Sequence, residues 1–194
     1  YNIVVIIMKE KKDLRIIKTK MALYNALTNL MKDKTFEEIR VSDICNEALI
    51  NRSTFYAHYD DKYELLVDFL KNVENELTSE LSKNNNIVNT KEYYIELIRL
   101  FLNHIEEKKD IYNSIMINNR NSIMMDILLN VVNNDLLNKA NVNNNSVIPS
   151  DIAAKFYLGG VINLGIDYIS NNKYSKEDLI KYYSILIPDN IGKE

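Results

Sequence analysis

The stretch that decides the fold covers residues 35–66 and reads TFEEIRVSDICNEALINRSTFYAHYDDKYELL. In its first half, apolar residues recur at one-sided helical spacing, at Val41, Ile44, Cys45 and Ala48. This spacing is typical of a short amphipathic helix. Such a helix is stable only if it buries its apolar face against a second element.

A second, very short helix is predicted to begin after Asn51, which is a favourable N-cap residue. Ile50 and Phe55 flank this cap at the two positions that form a hydrophobic staple. Phe55 and Tyr59 are four residues apart and therefore point inward together. The outer face of the helix then carries hydrogen-bond donors, which are Arg52, Ser53, Thr54, Tyr56 and His58.

A longer helix follows, and Asp61 with Glu64 resembles an acidic capping box at its start. Its apolar residues are Leu66, Phe69, Leu70, Val73 and Leu77. Two short helices, with the second one exposing donors, form the arrangement that inserts side chains into the major groove of DNA. The stretch therefore predicts a helix-turn-helix.

Several blocks of this stretch resemble the DNA-binding signature of TetR/AcrR-type transcriptional regulators. The blocks are Phe36-Glu37-Glu38-Ile39, Val41-Ser42-Asp43-Ile44 with Ala48, and Thr54-Phe55-Tyr56-Ala57-His58-Tyr59 with Lys62 and Leu65. Upstream, Thr19-Lys20-Met21-Ala22-Leu23 with Ala26, Leu27, Leu30 and Met31 is similar to the first helix of that family. Two positions depart from the pattern. Leu49 replaces the usual glycine after helix 2, and Arg40 replaces the usual Thr or Ser that opens this helix.

The resemblance implies a division of labour on DNA. Arg52, Ser53 and Thr54 are expected to contact base edges, while Arg40, Tyr56, His58 and Lys62 are expected to contact phosphates. For His58, a capping or packing role is the alternative. Arg40 would exchange a capping hydroxyl for a longer cation that reaches a phosphate.

Composition indicates an all-α protein in a reducing compartment. Only 4 Gly and 2 Pro occur among 194 residues, and helical periodicity recurs along the whole chain. The single cysteine, Cys45, lies on the apolar stripe of helix 2, where we expect an inert core thiol. Redox sensing is the weaker interpretation.

Charge is distributed unevenly between the two halves of the chain. Residues 1–62 hold 11 Lys and Arg against 9 Asp and Glu, net +2, whereas residues 63–194 hold 13 against 18, net −5. The first 20 residues alone carry 6 basic and 2 acidic groups, net +4. This excess suits a segment near phosphates, although a solvated terminus explains it equally well.

Helical patterns extend along most of the chain. They predict helices over 13–31, 61–82, 93–105, 110–117, 122–137, 150–169 and 176–187, and a loop over the Asn-rich segment 139–149. We expect Leu14, Ile17, Met21, Leu27 and Leu30 to be buried in the first helix.

Residues 1–8, YNIVVIIM, are too short to span a bilayer and lack a cleavage site. We expect this segment to be disordered or an artefact of the assigned start. The domains are taken as 1–62 for DNA binding and 63–194 for regulation and dimerisation.

Two further sites are predicted in the second domain. Aromatic, Met and His side chains are interpreted as an apolar ligand pocket, with ordinary core packing as the alternative: Tyr93, Tyr94, Phe101, His104, Tyr112, Met116, Met124, Met125 and Tyr157. His104, close to Glu107, is otherwise read as an ordinary surface histidine. The resemblance implies that the last two helices form a four-helix dimer bundle through Gly160, Leu164, Tyr168, Leu179, Tyr182 and Tyr183.

The overall interpretation is an all-α, cytoplasmic, homodimeric regulator with an N-terminal three-helix DNA-binding domain and a helical ligand-binding and dimerisation domain. Its partners would be a double-stranded DNA operator and a small-molecule effector that releases a repressor, with no membrane association. No metal-ligand spacing and no phosphate-binding glycine loop occurs, so we expect neither an enzyme nor a cofactor. The alternative is a helical interaction module, such as a coactivator, that binds a partner protein instead of DNA. It rests on Leu49 and on the modest charge of residues 1–62.

Overall fold

The computed structural model describes residues 2–81, 90–119, 126–127, 150–171 and 173–187 of the chain. Every regular element in these ranges is helical, which confirms the predicted all-α fold. In chain order the elements are α1 (Asn2–Leu30), a 3-10 turn (Phe36–Glu38), α2 (Val41–Glu47), α3 (Arg52–Tyr56), α4 (Lys62–Leu81), α5 (Thr90–Glu107), α6 (Lys109–Tyr112) with a π-helical turn (Asn113–Asn118), α7 (Ser150–Asn171) and α8 (Lys176–Leu186).

Most of the predicted helix bounds agree with these elements to within a few residues. The predicted helix over 110–117 is instead a short α-helix that widens into the π-helical turn. The predicted helix over 122–137 lies outside the described residues, except for Asp126 and Ile127, which are helical. The predicted loop over 139–149 also lies outside them.

Helix α1 is longer than predicted. It begins at Asn2, so the expected start near residue 13 was wrong, and residues 2–8 continue the helix rather than being disordered. No Gly or Pro interrupts this segment, which lets the backbone hydrogen bonds continue. Leu14, Ile17 and Met21 are exposed, contrary to expectation, whereas further along the helix Leu27 is buried.

The core of the helix-turn-helix is built as the apolar pattern predicts. Ile44 and Cys45 of α2, Phe55 of α3 and Leu65 with Leu66 of α4 are almost completely buried. Burial raises the pKa of the Cys45 thiol, which keeps it protonated and unreactive. The prediction of a buried core thiol is confirmed.

A shared carboxylate ties the first half of α4 to the helix-turn-helix. Oδ2 of Asp68 accepts hydrogen bonds from Lys20 Nζ at 2.7 Å, from Tyr24 Oη at 2.6 Å and from Tyr59 Oη at 2.6 Å. Burial raises the pKa of this carboxyl, but the three donors outweigh burial and leave the pKa below its ordinary value. The boundary at residue 62 stays a prediction, since α4, which begins there, contacts both α1 and α5.

In the second half of the chain, α5 packs against α4, α7 and α8. Two helices pack closely at Gly165. A Cβ there would lie 2.7 Å from Phe101 Cε1 and 3.1 Å from Ile105 Cδ1. At Gly165, α7 therefore packs closely against side chains of α5 in the same chain. Gly159, by contrast, has open space where its Cβ would be.

Two glycine substitutions on α7 should therefore have opposite effects. Gly159→Ala should raise the free energy of unfolding by about 0.5–1 kcal/mol, because Ala favours a helix and nothing obstructs its methyl group. Gly165→Ala should lower it by about 1–2 kcal/mol, because the added methyl group overlaps the Phe101 ring. Urea denaturation followed by circular dichroism measures both, and equal shifts of the same sign would contradict this packing.

Candidate nucleic-acid interface

The turn between α2 and α3 keeps helix-turn-helix geometry without its usual glycine. Leu49 has a φ of 56°, in the left-handed region. The N–H of Ile50 donates to the carbonyl of Cys45 at 3.0 Å, and the N–H of Leu49 donates to Asn46 at 3.2 Å. These two bonds form a Schellman motif, which glycine normally completes. Leu49 therefore carries backbone strain, and its side chain is 92% exposed.

Relieving this strain should stabilise the protein. Leu49→Gly should raise the free energy of unfolding by about 1 kcal/mol, because a left-handed conformation costs a residue with a Cβ about 1–2 kcal/mol and the exposed leucine packs little. Thermal denaturation compares this variant with Leu49→Ala, which keeps the Cβ and should show no such gain. A Gly variant no more stable than the Ala variant would mean that the turn is unstrained.

Helix α3 presents the predicted donor face. The Asn51 carbonyl accepts from Thr54 N at 2.9 Å and from Phe55 N at 3.2 Å, although the Asn51 side chain makes no capping hydrogen bond. Phe55 and Tyr59 point inward and are buried. The opposite face exposes Arg52, Ser53 and Tyr56, with Thr54 and His58 half-buried beside them. The structure thus brings five of the seven predicted DNA-binding residues onto one short surface.

Lys62 has a different environment from the one predicted. Its ammonium donates to the carbonyls of Phe36 at 2.9 Å, Glu37 at 2.9 Å and Ile39 at 2.8 Å. It also lies 4.8 Å from the centre of the Phe36 ring. Burial lowers the pKa of this amine. Because three carbonyls use all three of its N–H donors, the predicted phosphate contact of Lys62 was wrong, and the residue instead holds the 3-10 turn to α4.

The other cations of this region fall into two groups. The first group is paired with carboxylates: Lys20 Nζ binds Asp68 Oδ2, and Lys34 Nζ lies 3.8 Å from Asp43 Oδ2. Arg40 and Arg52 have no carboxylate partner within ion-pair distance among the described side chains. The backbone N–H of Arg40 donates to Asp43 Oδ2 at 3.1 Å, which caps α2 and leaves the exposed guanidinium available. The phosphate contact expected of Arg40 stays a prediction.

A cleft of about 590 Å³ separates α1 from α3. Arg15, Ile16 and Thr19 line it from α1, and Ser53, Thr54 and His58 line it from the other side. Arg15 and Thr19 were not among the predicted site residues. The signal for Arg15 in the sequence was the net charge of +4 over the first 20 residues, and Thr19 opens the block that resembles the first helix of the family.

The predicted ligand-pocket residues are only partly brought together. Phe101, Tyr112 and Met116 are buried, and the Phe101 and Tyr112 rings pack edge to face at 5.5 Å. Tyr94 is half-buried on α5. Met124, Met125 and the side chains of Tyr93 and Tyr157 lie outside the described residues.

His104 is not the surface residue that its neighbour Glu107 suggested. It is buried, with Nδ1 2.8 Å from Tyr112 Oη and Nε2 3.2 Å from Oε2 of Glu76 on α4. Lys108 contacts the same glutamate oxygen. Burial raises the pKa of Glu76, but the bonds from Lys108 and His104 outweigh it and lower the pKa below its ordinary value. These groups form a polar link between α4 and α5.

Several predicted dimer residues are engaged within their own chain. Leu164 and Leu179 are buried in the subunit core, so their expected place at a dimer surface was wrong. The Tyr183 hydroxyl donates to the carbonyl of Gly160 at 2.9 Å, and the Tyr168 hydroxyl donates to Glu106 at 2.6 Å. Tyr182 remains exposed. The large exposed apolar side chains of α7 and α8, which sequence reasoning missed, are Ile152, Phe156, Ile185 and Leu186.

Two other kinds of site are absent from the described ranges. No helix there combines the length and apolar character that a membrane span requires. Nor do these ranges bring three His, Cys, Asp or Glu side chains into an arrangement that could hold a metal ion. The exposed face of α3 is therefore the candidate site that the described side chains define best.

Comparisons with known proteins agree with this geometry. No protein-family model matches the chain. An uncharacterised helix-turn-helix transcriptional regulator of Bacillus subtilis, YxbF, is 42% identical over 60 residues, which are 30% of this chain and 16% of that protein. The chain thus matches only a small part of the length of this curated relative.

Solved structures match along most of the chain. A TetR transcriptional regulator from Streptococcus agalactiae is 26% identical, covers 92% of this chain and 98% of its own, and superimposes with a TM-score of 0.62. The regulator FadR from Bacillus subtilis, solved in complex with stearoyl-CoA, is 14% identical, covers 86% and 96% respectively, and has a TM-score of 0.62. By its helix-turn-helix and by the fold of its described helices, the chain is similar to TetR-type transcriptional regulators.

Proposed function

We propose that the protein is a sequence-specific DNA-binding transcriptional regulator that works in the cytoplasm as a homodimeric repressor. The observation that carries this proposal is the exposed donor face of α3, held on a turn that keeps its geometry although Leu49 is strained there. A protein without need of that geometry would gain stability by relaxing the turn. Its retention supports DNA recognition.

The roles on DNA follow from position and chemistry. Arg52 and Ser53 at the start of α3 reach base edges, with Thr54 beside them. Arg40, Tyr56 and His58 flank them and contact phosphates, which fix the register of the helix on the duplex. Lys62 does not contact DNA but holds the turn that precedes α2.

The alternative is an interaction module that binds a partner protein. One of its two supports was the missing glycine, and the left-handed conformation of Leu49 removes that support. The other was the modest charge of residues 1–62. Several basic groups of this region are bound internally while Arg40 and Arg52 face outward, so the cations that matter for DNA are the exposed ones.

Selection of bound duplexes from a random DNA pool tests the proposal. The purified protein should enrich one sequence with two related half-sites, and its affinity should fall steeply between about 50 and 200 mM salt because phosphate contacts release counterions. No enrichment, together with salt-independent capture of DNA, would contradict the proposal.

We propose that α7 and α8 form the dimer interface through their exposed apolar side chains, Ile152, Ile185 and Leu186. A dimer reads two half-sites and thereby gains the contact area that one short recognition helix lacks. Isolated exposed apolar residues are common, but several on two adjoining helices suit an interface with a second copy.

Charged substitutions on this face should separate the subunits. The double variant Ile185→Glu with Leu186→Glu should sediment as a folded monomer and lose most operator affinity, because two charges cannot be buried in an apolar interface. Leu14→Glu, which changes an exposed apolar residue on α1, serves as the control and should remain dimeric. A dimeric double variant would place the interface elsewhere.

We also propose that a small-molecule effector binds beside α5 and α6 and releases the DNA. The FadR structure with stearoyl-CoA shows that one protein of this fold binds such a ligand. Here Phe101, Tyr112 and Met116 supply buried apolar side chains. Any compound that releases DNA must itself bind more weakly when operator is present. Titration of candidate compounds with and without operator measures this reciprocity, and unchanged affinity would exclude the compound as an effector.

A further inference from the structure

The cleft between α1 and α3 has the chemistry of an anion site. Arg15 lies on one wall, and Ser53, Thr54 and His58 lie on the other. None of the residues that line it is acidic. A guanidinium, two hydroxyls and an imidazole among the lining residues provide several donors without a competing carboxylate in the lining, which suits a phosphate oxygen.

Arg15 is also one of the basic groups that remain exposed. Lys20, one turn further along α1, is held by Asp68 at 2.7 Å. The guanidinium of Arg15 donates to no acceptor and pairs with no carboxylate among the described side chains. Thr19 does not compete for an anion, because its hydroxyl already donates to the backbone carbonyl of Arg15 at 2.9 Å. The donors left on the α1 wall therefore belong to Arg15.

We propose that this cleft seats a phosphate of the DNA backbone, with Arg15 holding it from α1 and His58 from the end of α3. The inference rests on the proposed function, because it takes α3 to lie in the major groove. Ser53 and Thr54 belong both to the base-reading face and to the cleft wall, so a strand that passes the reading face continues into the cleft. The source of the phosphate is thus the DNA strand itself and not a free ion.

The consequence is a contact that depends on α1 and carries no base preference. Arg15→Ala should lower operator affinity about tenfold for each subunit, as expected for loss of one hydrogen bond to a charged group. The variant should bind all DNA sequences more weakly by the same factor. It should also reduce the slope of log affinity against log salt concentration by about two for a dimer. Lys18→Ala is the matched control, since Lys18 is exposed on α1 but does not line the cleft.

A scan of the operator with single neutral methylphosphonate linkages locates the phosphate. At one position in each half-site, the neutral linkage should lower the operator affinity of the parent protein and of Lys18→Ala. It should leave the affinity of Arg15→Ala unchanged, because that variant already lacks the contact. Helix content from circular dichroism verifies that both variants fold. Addition of inorganic phosphate at constant ionic strength should not displace the operator, since the cleft takes a backbone phosphate.

The outcomes separate the inference from the proposed function. If the parent protein selects and binds an operator but Arg15→Ala responds to every neutral linkage as the parent does, the cleft does not seat a phosphate. Displacement of DNA by inorganic phosphate would identify a free-anion site and overturn the inference too. A parent protein that binds no DNA would instead contradict the proposed function itself.

Discussion

Lys62→Ala should lower the free energy of unfolding by about 3 kcal/mol and leave the salt slope of DNA binding unchanged. The substitution deprives the carbonyls of Phe36, Glu37 and Ile39 of their shared donor. It also removes the cation above the Phe36 ring. Hydrogen bonds to a charged group contribute about 1.5–3 kcal/mol each, and solvent at the exposed Glu37 offsets part of that loss.

Two variants make this test specific. Lys62→Met keeps the apolar stem over the Phe36 ring and should recover part of the lost stability, whereas the exposed Lys18→Ala should change stability by less than about 0.5 kcal/mol. Urea denaturation gives the stabilities, and binding titrations at several salt concentrations give the slopes. If Lys62→Ala is as stable as the parent but has a shallower salt slope, the lysine is a phosphate ligand after all.

The case of Lys62 shows where the sequence was insufficient. Its spacing after the TFYAHY block of residues 54–59 matched the family pattern, and the helix bounds around it were predicted to within a residue. Spacing, however, fixes where a side chain starts and not where its terminal atoms lie. The carbonyls that bind the ammonium come from a 3-10 turn more than twenty residues earlier, so only the tertiary structure reveals them.

The wrong predictions in residues 63–194 have the same cause, which is that spacing along the chain does not show which groups meet in the folded protein. The pattern of α7 and α8 predicted both helices. The resemblance implied a dimer surface at Leu164 and Leu179, and periodicity cannot tell whether an apolar face meets its own chain or a partner. Both residues were therefore misplaced at that surface. His104 was misjudged for a similar reason, because its partner Glu76 lies on another helix, 28 residues away.

Arg52→Ala should weaken binding to the preferred operator by about 1–3 kcal/mol for each half-site and relax the choice of base at one position in each. Arg52 is exposed at the first position of α3, where its guanidinium can make two parallel hydrogen bonds to a base edge in the major groove. Because a dimer places two such helices on the operator, both half-sites should lose the same preference. Selection from a random DNA pool with each protein measures the preference directly.

Tyr56→Phe provides the contrast that separates reading a base from holding the backbone. Tyr56 is 55% exposed, and its ring packs edge to face on Phe55 at 5.4 Å, so Phe keeps the packing and removes only the hydroxyl. This variant should bind all DNA sequences more weakly by the same factor, and selection from a random pool should return the same preferred bases as for the parent. If Arg52→Ala also returned the parental preferences with only a uniform loss of affinity, Arg52 would be a phosphate ligand. Base recognition would then fall to Ser53 and Thr54, whose short side chains reach a base edge only where α3 sits deepest in the groove.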